Sequence, residues 1–378
     1  MAGLFGNMHT RATGGQYVDI VEDLSGAVRF GGIYQVPFYA GIARKFAKDT
    51  THKWITDAPH TLSGVTGAVL QKTAGATTLT VTSATCTNFR INQAVRIENE
   101  WLLITAQAST ALTVTRGYAS TTRTTHATSL TVVIVDKSHL ENAGPTAYAT
   151  THSEVSNQCQ IFIDAVSLSR TRQRVASVVG SEWDLQVLKQ GLEQAREIER
   201  AMLHGKIVTA TANTTRRHMR GIVDAISTTR RTTTTSLTTA RLATFFQAIY
   251  DQGGSPAVCV VDSLFLRALS NLNLGYVQLQ GVELGKGTIG GMTAGRWQSP
   301  YGDMGIMLCR NLGGPIGQSC CCLALTPEEV AAAVIDEMLY EELAQSTDGK
   351  NAQIVSELCV EWGNQQFHGW LGNKSTGL

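Results

Sequence analysis

Arg116 and His126 stand close together in the Thr-rich segment TVTRGYASTTRTTH, a cation beside an imidazole, as an acid–base step would use them. Such a pair needs a carboxylate to orient the imidazole, and the sequence pattern fixes none. Cys320-Cys321-Cys322 is the densest group of thiols and invites a metal or redox reading. Its apolar setting, SCCCLAL, favours a strand in which Cys acts as a small buried hydrophobe. None of the eight cysteines forms a C-x-x-C pair, and no His stands at zinc-ligand spacing to them. Gly285-x-Gly287-x-x-Gly290 matches the dinucleotide fingerprint as a bare pattern. The residues that follow, Gly291-Met-Thr-Ala-Gly295, do not start a helix, so no helix N-terminus is offered to a pyrophosphate. Glu341 and Glu342 are adjacent, and neighbours on a strand point to opposite faces. No G-x-S-x-G elbow, phosphate-binding G-x-x-x-x-G-K-[ST] loop or H-E-x-x-H is present. The sequons at Asn213 and Asn373 have no meaning without an export signal. The motifs therefore assign no catalytic residue, no cofactor-binding residue and no metal ligand.

Composition narrows the class. Charged residues make up only 16% of the 378, against 43% apolar, so the surface is neutral-polar or is covered by partners. Lys and Arg total 31 and Asp and Glu 30, a net charge of +1, which argues against a dedicated nucleic-acid binder. No apolar run reaches the roughly 18 residues of a membrane span, so no membrane partner is expected. MAGLFGNMHTR lacks a signal-peptide pattern, and synthesis in a cytosol with free thiols is expected.

The elements that must position these residues centre on a rod. GSEWDLQVLKQGLEQAREIERAMLHG predicts a helix over 181–204, with Ser181 as N-cap and Gly205 as stop. Leu185, Leu188, Leu192, Ala195 and Met202 are expected to form its packing stripe. The helix alone fits an α/β enzyme as well as any other fold; its flanks decide. Tyr17–Phe30 reads as part of an extended arm that needs a neighbour. Arg44, Lys45 and Lys48 form a basic cluster, either a solvated face or a contact for an acidic partner or DNA backbone. Arg170, Arg172 and Arg174 form a second. Residues 68–136 are dense in Thr, Val and Ile with period-two alternation, predicting a small all-β module. Asn157–Ser169 reads as a long strand and Leu242–Gly253 as an amphipathic helix. Glu328–Ile335 is expected to be a short helix capped by Thr326. Residues 339–372 read as a hairpin turning at Ser346–Gly349.

In this order the stretches YVDIVEDLSGAVRF, HKWITDA, VSLSRTRQRV, LEQAREIERAMLHG, RHMRGIVDAI and ELAQSTDGKNAQIVSELCVEWGNQQFHGWLGN are recognisable. Together they resemble the Hong Kong 97-like major capsid proteins of tailed phages, over nearly the whole chain outside 68–136. The resemblance implies an α+β fold with an N-terminal arm (1–55) and an E-loop region (56–170) carrying the β insertion domain. It implies a P-domain from 171–215 with 336–378, and an A-domain from 216–335. It also implies self-assembly into hexamers and pentamers of an icosahedral shell that encloses double-stranded DNA non-specifically. No cofactor is implied. Portal, scaffolding and decoration proteins are the expected partners, with scaffold and protease as separate proteins. The virion is the expected destination after synthesis in the host cytoplasm. Lys72 lies in the E-loop region, but no cross-link is carried over to it. An encapsulin-type compartment shell would use the same elements, and an enzyme with a lectin-like β module is the outlying alternative.

Overall fold

The computed structural model describes residues 35–57, 62–73, 75–82, 86–141, 144, 152–175, 181–210, 215–226, 231–233, 237–272, 295–299, 301–313, 319–344 and 348–373. Tyr17–Phe30 and Gly285–Gly290 lie outside them. The chain divides into two compact units, Asp57–Ser153 and the remainder, Met1–Thr56 with Glu154–Leu378.

The larger unit is built on a four-stranded sheet and a long helix. Strand β1 (Ala43–Phe46) runs parallel to β16 (Ala331–Leu343), which forms an antiparallel hairpin with β17 (Gly349–Glu361). Strand β10 (Gln160–Ser169) closes the far side of β17. Two strands leading to and from the smaller unit, β2 (Thr51–Thr56) and β9 (Ser153–Gln158), pair with each other. Short helices α1 (Pro37–Gly41) and α2 (Arg170–Arg174) flank the sheet strands in sequence. Helix α3 (Glu182–His204) starts at Ser181, whose hydroxyl accepts from the Asp184 N–H at 3.3 Å. Glu182 and Asp184 in its first turn and His204 in its last suit the helix dipole. The chain after α3 returns closely: a Cβ on Gly205 would sit 2.5 Å from the Met219 carbonyl, so only glycine fits.

A second sheet of the same unit has the order β11-β18-β15-β12-β14-β13. Its strands are β11 (Arg231–Thr233), β12 (Val258–Val261), β13 (Gly295–Ser299), β14 (Gly302–Leu308), β15 (Ser319–Leu325) and β18 (Gly369–Asn373). Every residue of β12 is buried, as a central strand covered on both faces requires. Helices α5 (Thr239–Tyr250) and α6 (Ser263–Asn271) cover one side through Phe245, Phe246, Ile249, Phe265 and Leu269; α4 (Ile222–Ala225) packs in the core beside α3. The triple cysteine lies in β15, as its apolar setting implied.

The smaller unit is one antiparallel sheet, β3-β8-β5-β6-β7-β4. The strands are β3 (Ser63–Val65), β4 (Thr78–Thr80), β5 (Gln93–Ile97), β6 (Glu100–Gln107), β7 (Ala111–Arg116) and β8 (Thr131–Lys137). Leu79, Phe89, Ile97, Leu102, Ile104, Leu112, Val114 and Val132 form its core.

Several expectations need correction. Glu328–Ile335 is not a helix: Pro327–Glu329 makes a single turn and Ala331 begins β16. The alanines there are claimed by strands on both sides, β1 and β17, and this pairing overrides their helix preference. Of the arm expected over 1–55, the described part is tied into the main unit: Phe38 and Tyr39 are buried in its core, and 43–46 is a sheet strand. The expected division at 335/336 also fails to follow the sheets. Ala331–Val334 pair within the first sheet, whereas Gly369–Asn373 crosses back into the second. The β module is wider than 68–136, because Ser63–Val65 pair with Thr131–Val133 of β8.

Candidate functional site: surfaces and buried polar groups

The buried stripe of α3 is Gln194, Ala195, Ile198, Glu199, Met202 and Leu203. Of the expected stripe, Ala195 and Met202 are buried, Leu185 and Leu192 are half-buried, and Leu188 is 54% exposed. The helix meets the core along its C-terminal half, so the period extrapolated from Leu185 drifts off the contact face. Gln194 fixes the crossing. Its amide donates to the Ile354 carbonyl at 2.9 Å, and its oxygen accepts from the Ser356 hydroxyl at 2.8 Å. Ser356 Oγ in turn accepts from the Met338 N–H at 3.1 Å, where Met338 adopts φ +47° at an irregularity in β16. That left-handed conformation is uncommon for a side chain of this size.

Beside this contact an apolar groove of about 340 Å³ remains open between the N-terminal half of α3 and the hairpin, lined by Leu188, Gly191, Leu192, Met338, Tyr340 and Ile354. Leu339, Tyr340 and Leu343 of β16 are exposed next to it, and Ile161 and Ile163 are exposed on β10. A subunit that leaves such patches in water is built to have them covered.

The basic clusters are used differently from expectation. Arg44 Nε lies 3.0 Å from Glu337, and its guanidinium stacks over the Tyr39 ring at 4.6 Å. Burial and the hydrogen bond to Glu337 push the Tyr39 phenol up. Lys45 and His52 both reach Glu361, at 2.7 and 2.9 Å. Burial favours protonation of Glu361, but these two partners outweigh it and hold the carboxyl below its usual range. Arg170 pairs with Asp348 at 2.9 Å and Arg172 with Glu182 at 3.1 Å. Lys48 and Arg174 are exposed and have no ion pair among the described residues.

Arg116 and His126 do have a carboxylate, and sequence reading missed it. Strand β7 alternates so that Leu112, Val114 and Arg116 face inward, and β6 points Glu100 inward in phase with Leu102 and Ile104. Arg116 grips both oxygens of Glu100, at 2.9 and 2.5 Å. His126 Nε2 lies 2.9 Å from Glu100 and its Nδ1 2.9 Å from Glu98. The Gly117 and Thr124 N–H groups add donors to Glu100 at 3.2 and 3.0 Å, and Arg116 also reaches the Gln71 and Thr124 carbonyls. Burial pushes the Glu100 carboxyl up, but Arg116, the Thr124 N–H and His126 outweigh it and hold it at about 2. Arg116, Glu100 and His126 are all buried, and the Thr124 hydroxyl lies 3.3 Å from His126 Nε2, so the cluster forms a closed polar core in the sheet. The legible signal was the strand phase, which aimed a charge inward on both β6 and β7. Among the described residues no group of His, Cys, Asp and Glu has the makings of a metal site, and no helix is long and apolar enough to cross a membrane.

A larger polar cleft of about 970 Å³ opens in the main unit, lined by Thr50, Gln158, Gln160, Glu197, Arg217 and His218 among others. Arg217 there pairs with Glu357 at 2.8 Å.

The main unit leaves apolar faces open and holds Arg44, Lys45, Arg170 and Arg172 in ion pairs. The sequence profile of the SU10 major capsid protein family matches residues 6–375, and the chain belongs to that family. It is a major capsid protein of the phage head shell, a structural virion protein. A structure from Mycobacterium phage Bobi aligns over 97% of this chain and 99% of its own at 11% identity, with a TM-score of 0.51. One from Microbacterium phage Oxtober96 aligns over 96% and 98% at 12% identity, also with a TM-score of 0.51. At such identities the likeness is one of fold. The holo-SrpI encapsulin of Synechococcus elongatus PCC 7942 aligns over 58% of this chain and 76% of its own at 7% identity and a TM-score of 0.42, and lends the compartment reading no weight. No curated protein matches the chain.

Proposed function

We propose that the chain is a Hong Kong 97-like subunit that assembles as hexamers and pentamers into the icosahedral head of a tailed phage and encloses double-stranded DNA. The observation that carries this reading is the apolar surface left open around α3 and the β16–β17 hairpin in a chain with so few charged residues. Identical subunits that cover such faces through heterologous contacts close into rings and then a shell. Helix α3 and the first sheet then serve as the P-domain, and the second sheet with α5 and α6 as the A-domain. The unit 57–153 is carried as an insertion in the E-loop region, on the outer surface, where it braces neighbours or receives decoration proteins. Contact with DNA is weak and sequence-independent, because Lys48 and Arg174 alone of the expected basic residues lack an internal ion pair among the described residues. Portal and scaffolding proteins complete the partners of such a head.

Electron microscopy and light scattering of the purified full-length chain test the reading. Capsomers or closed particles are expected across moderate salt. A monodisperse monomer at every concentration and salt overturns it.

A further inference from the structure

Cys159 and Cys359 are 200 residues apart in sequence, and their sulfurs are 3.5 Å apart in the fold. The β10–β17 register runs Gln160↔Leu358 and Ile161↔Glu357, so one step further places Cys159 directly opposite Cys359. The Cys159 N–H is bonded to the Thr50 carbonyl at 2.8 Å and not across the ladder. The backbone ladder ends there: the Gln158 N–H donates to Asn157 Oδ1 and the Val360 carbonyl accepts from the Asn157 amide, so the two thiols face each other just past the last paired residues. Both side chains are fully buried. Cys359 is the cross-strand partner of Ala333 in β16. Cys159 is covered on the outer side by Asp49 and Thr50, which are themselves exposed; its sulfur is 3.7 Å from the Asp49 carbonyl. Its sequence neighbours Gln158 and Gln160, with Thr50, line the polar cleft of about 970 Å³. A small polar oxidant thus has a route to within one residue of Cys159. The hydrogen bond with Cys359 holds the Cys159 thiol below its usual range despite burial, and Arg217 in the cleft wall pulls the same way. Cys359 is pushed up by the same hydrogen bond and by burial. Of the two, Cys159 is the one beside the cleft-lining residues.

We propose that Cys159 and Cys359 are an oxidation site: hydrogen peroxide converts them to an intrachain disulfide that staples the start of β10 to β17. The Cys159 thiolate attacks one peroxide oxygen, the O–O bond breaks, and the departing hydroxide takes up a proton to leave as water. Cys159 becomes a sulfenic acid. The Cys359 sulfur then attacks the Cys159 sulfur, the S–O bond breaks, and the Cys359 proton leaves with that oxygen as a second water. The two thiols lose two electrons and two protons, and one peroxide is reduced to two waters. In a reducing cytosol the pair stays open during folding and assembly; a particle outside the cell meets the oxidant without the reductant. The bond closes a loop from 159 to 359 that holds α3, every strand of the second sheet except β18, and most of the hairpin.

The test uses the full-length wild-type chain, treated with a small molar excess of hydrogen peroxide, unfolded, alkylated and digested. The expected product is a peptide pair joined through Cys159 and Cys359, with a loss of about 2 Da and two alkylation sites, reversed by dithiothreitol. In Cys359→Ala, oxidation is expected to stop at the Cys159 sulfenic acid, which dimedone captures at least tenfold more than in wild type. Cys259 and Cys322 are the internal control, neighbouring thiols buried in the second core. Dominant linkage of Cys259 to Cys322 overturns the proposal. So does Cys159 driven to sulfinic acid while Cys359 remains open to alkylation, or equal dimedone capture with and without Cys359.

Discussion

Among the described residues each of the two units buries one carboxylate completely, and they satisfy it in opposite ways. In the main unit Glu199 of α3 receives the Tyr39 N–H at 3.0 Å, the Cys309 thiol at 3.2 Å and the Asn311 amide at 2.8 Å, from partners 160, 110 and 112 residues away. In the smaller unit Glu100 receives Arg116 and His126, only 16 and 26 residues away. Glu199 uses neutral donors that no single segment supplies, so it is satisfied only when two distant parts of the chain, Tyr39 and Cys309–Asn311, meet on α3. Glu100 uses charge, and it is closed within a single sheet. Burying the first specifies long-range assembly of the core; burying the second gives a local unit its own interior.

Arg116→Met breaks the local cluster most severely, because it leaves Glu100 buried without its cation. The expected cost is about 3–5 kcal/mol to the smaller unit, read as an earlier urea transition for that unit with the other unchanged. Adding Glu100→Leu is expected to recover most of the loss. Equal weakening of both transitions would mean the units do not fold separately.

Ile198→Ala makes the complementary break. Ile198 is fully buried on α3 among residues drawn from the whole length of the main unit. Truncation is expected to cost about 2–5 kcal/mol there and leave the smaller unit's transition in place.

The sequence made the strands and helices legible wherever a local period decided them. Ser181 capped α3, Leu242 began the buried face of α5, and alternation marked β6 and β7. It failed where distant pairing decided. Ala331–Val334 look helical until β1 and β17 flank them, and Pro37–Phe46 look like an arm until they meet that same strand. The charge partners were hidden for the same reason: Glu337, Glu361 and Asp348, which hold Arg44, Lys45 and Arg170, lie far along the chain. Glu100 was closer to being visible, since its strand phase already aimed it inward.

Acid sharpens the contrast between the two carboxylates. Glu100 is held at about 2 in the folded state against an ordinary value of 4.5. A depressed carboxyl stabilises the fold above the unfolded value and loses that contribution as pH falls through the folded one. The smaller unit's transition is therefore expected to weaken between about pH 4.5 and 2. In Arg116→Met the same carboxyl is buried without its cation, its pKa rises, and the slope over this window should flatten or reverse. A wild-type slope that persists unchanged in the variant would place the acid sensitivity elsewhere.

The smallest effect on folding is expected at Leu188, and it separates packing within the subunit from contact beyond it. The residue belongs to the apolar pattern of α3, yet it is 54% exposed and faces the open groove beside Met338 and Tyr340. A side chain so placed contributes little to its own subunit, so Leu188→Ala is expected to change the main unit's stability by less than about 0.5 kcal/mol. Ile198, three turns along the same helix, sets the scale for a residue that packs at home. If the groove is covered by another copy in the shell, Leu188→Asp should leave a folded subunit whose urea midpoint matches wild type but whose particles are fewer by electron microscopy. The aspartate would have to be buried against an apolar partner, a cost the free subunit never meets. Normal particle yield from Leu188→Asp would show that this groove stays open in the shell. A large loss of stability from Leu188→Ala would instead show that the N-terminal half of α3 packs on the hairpin more closely than its exposure implies.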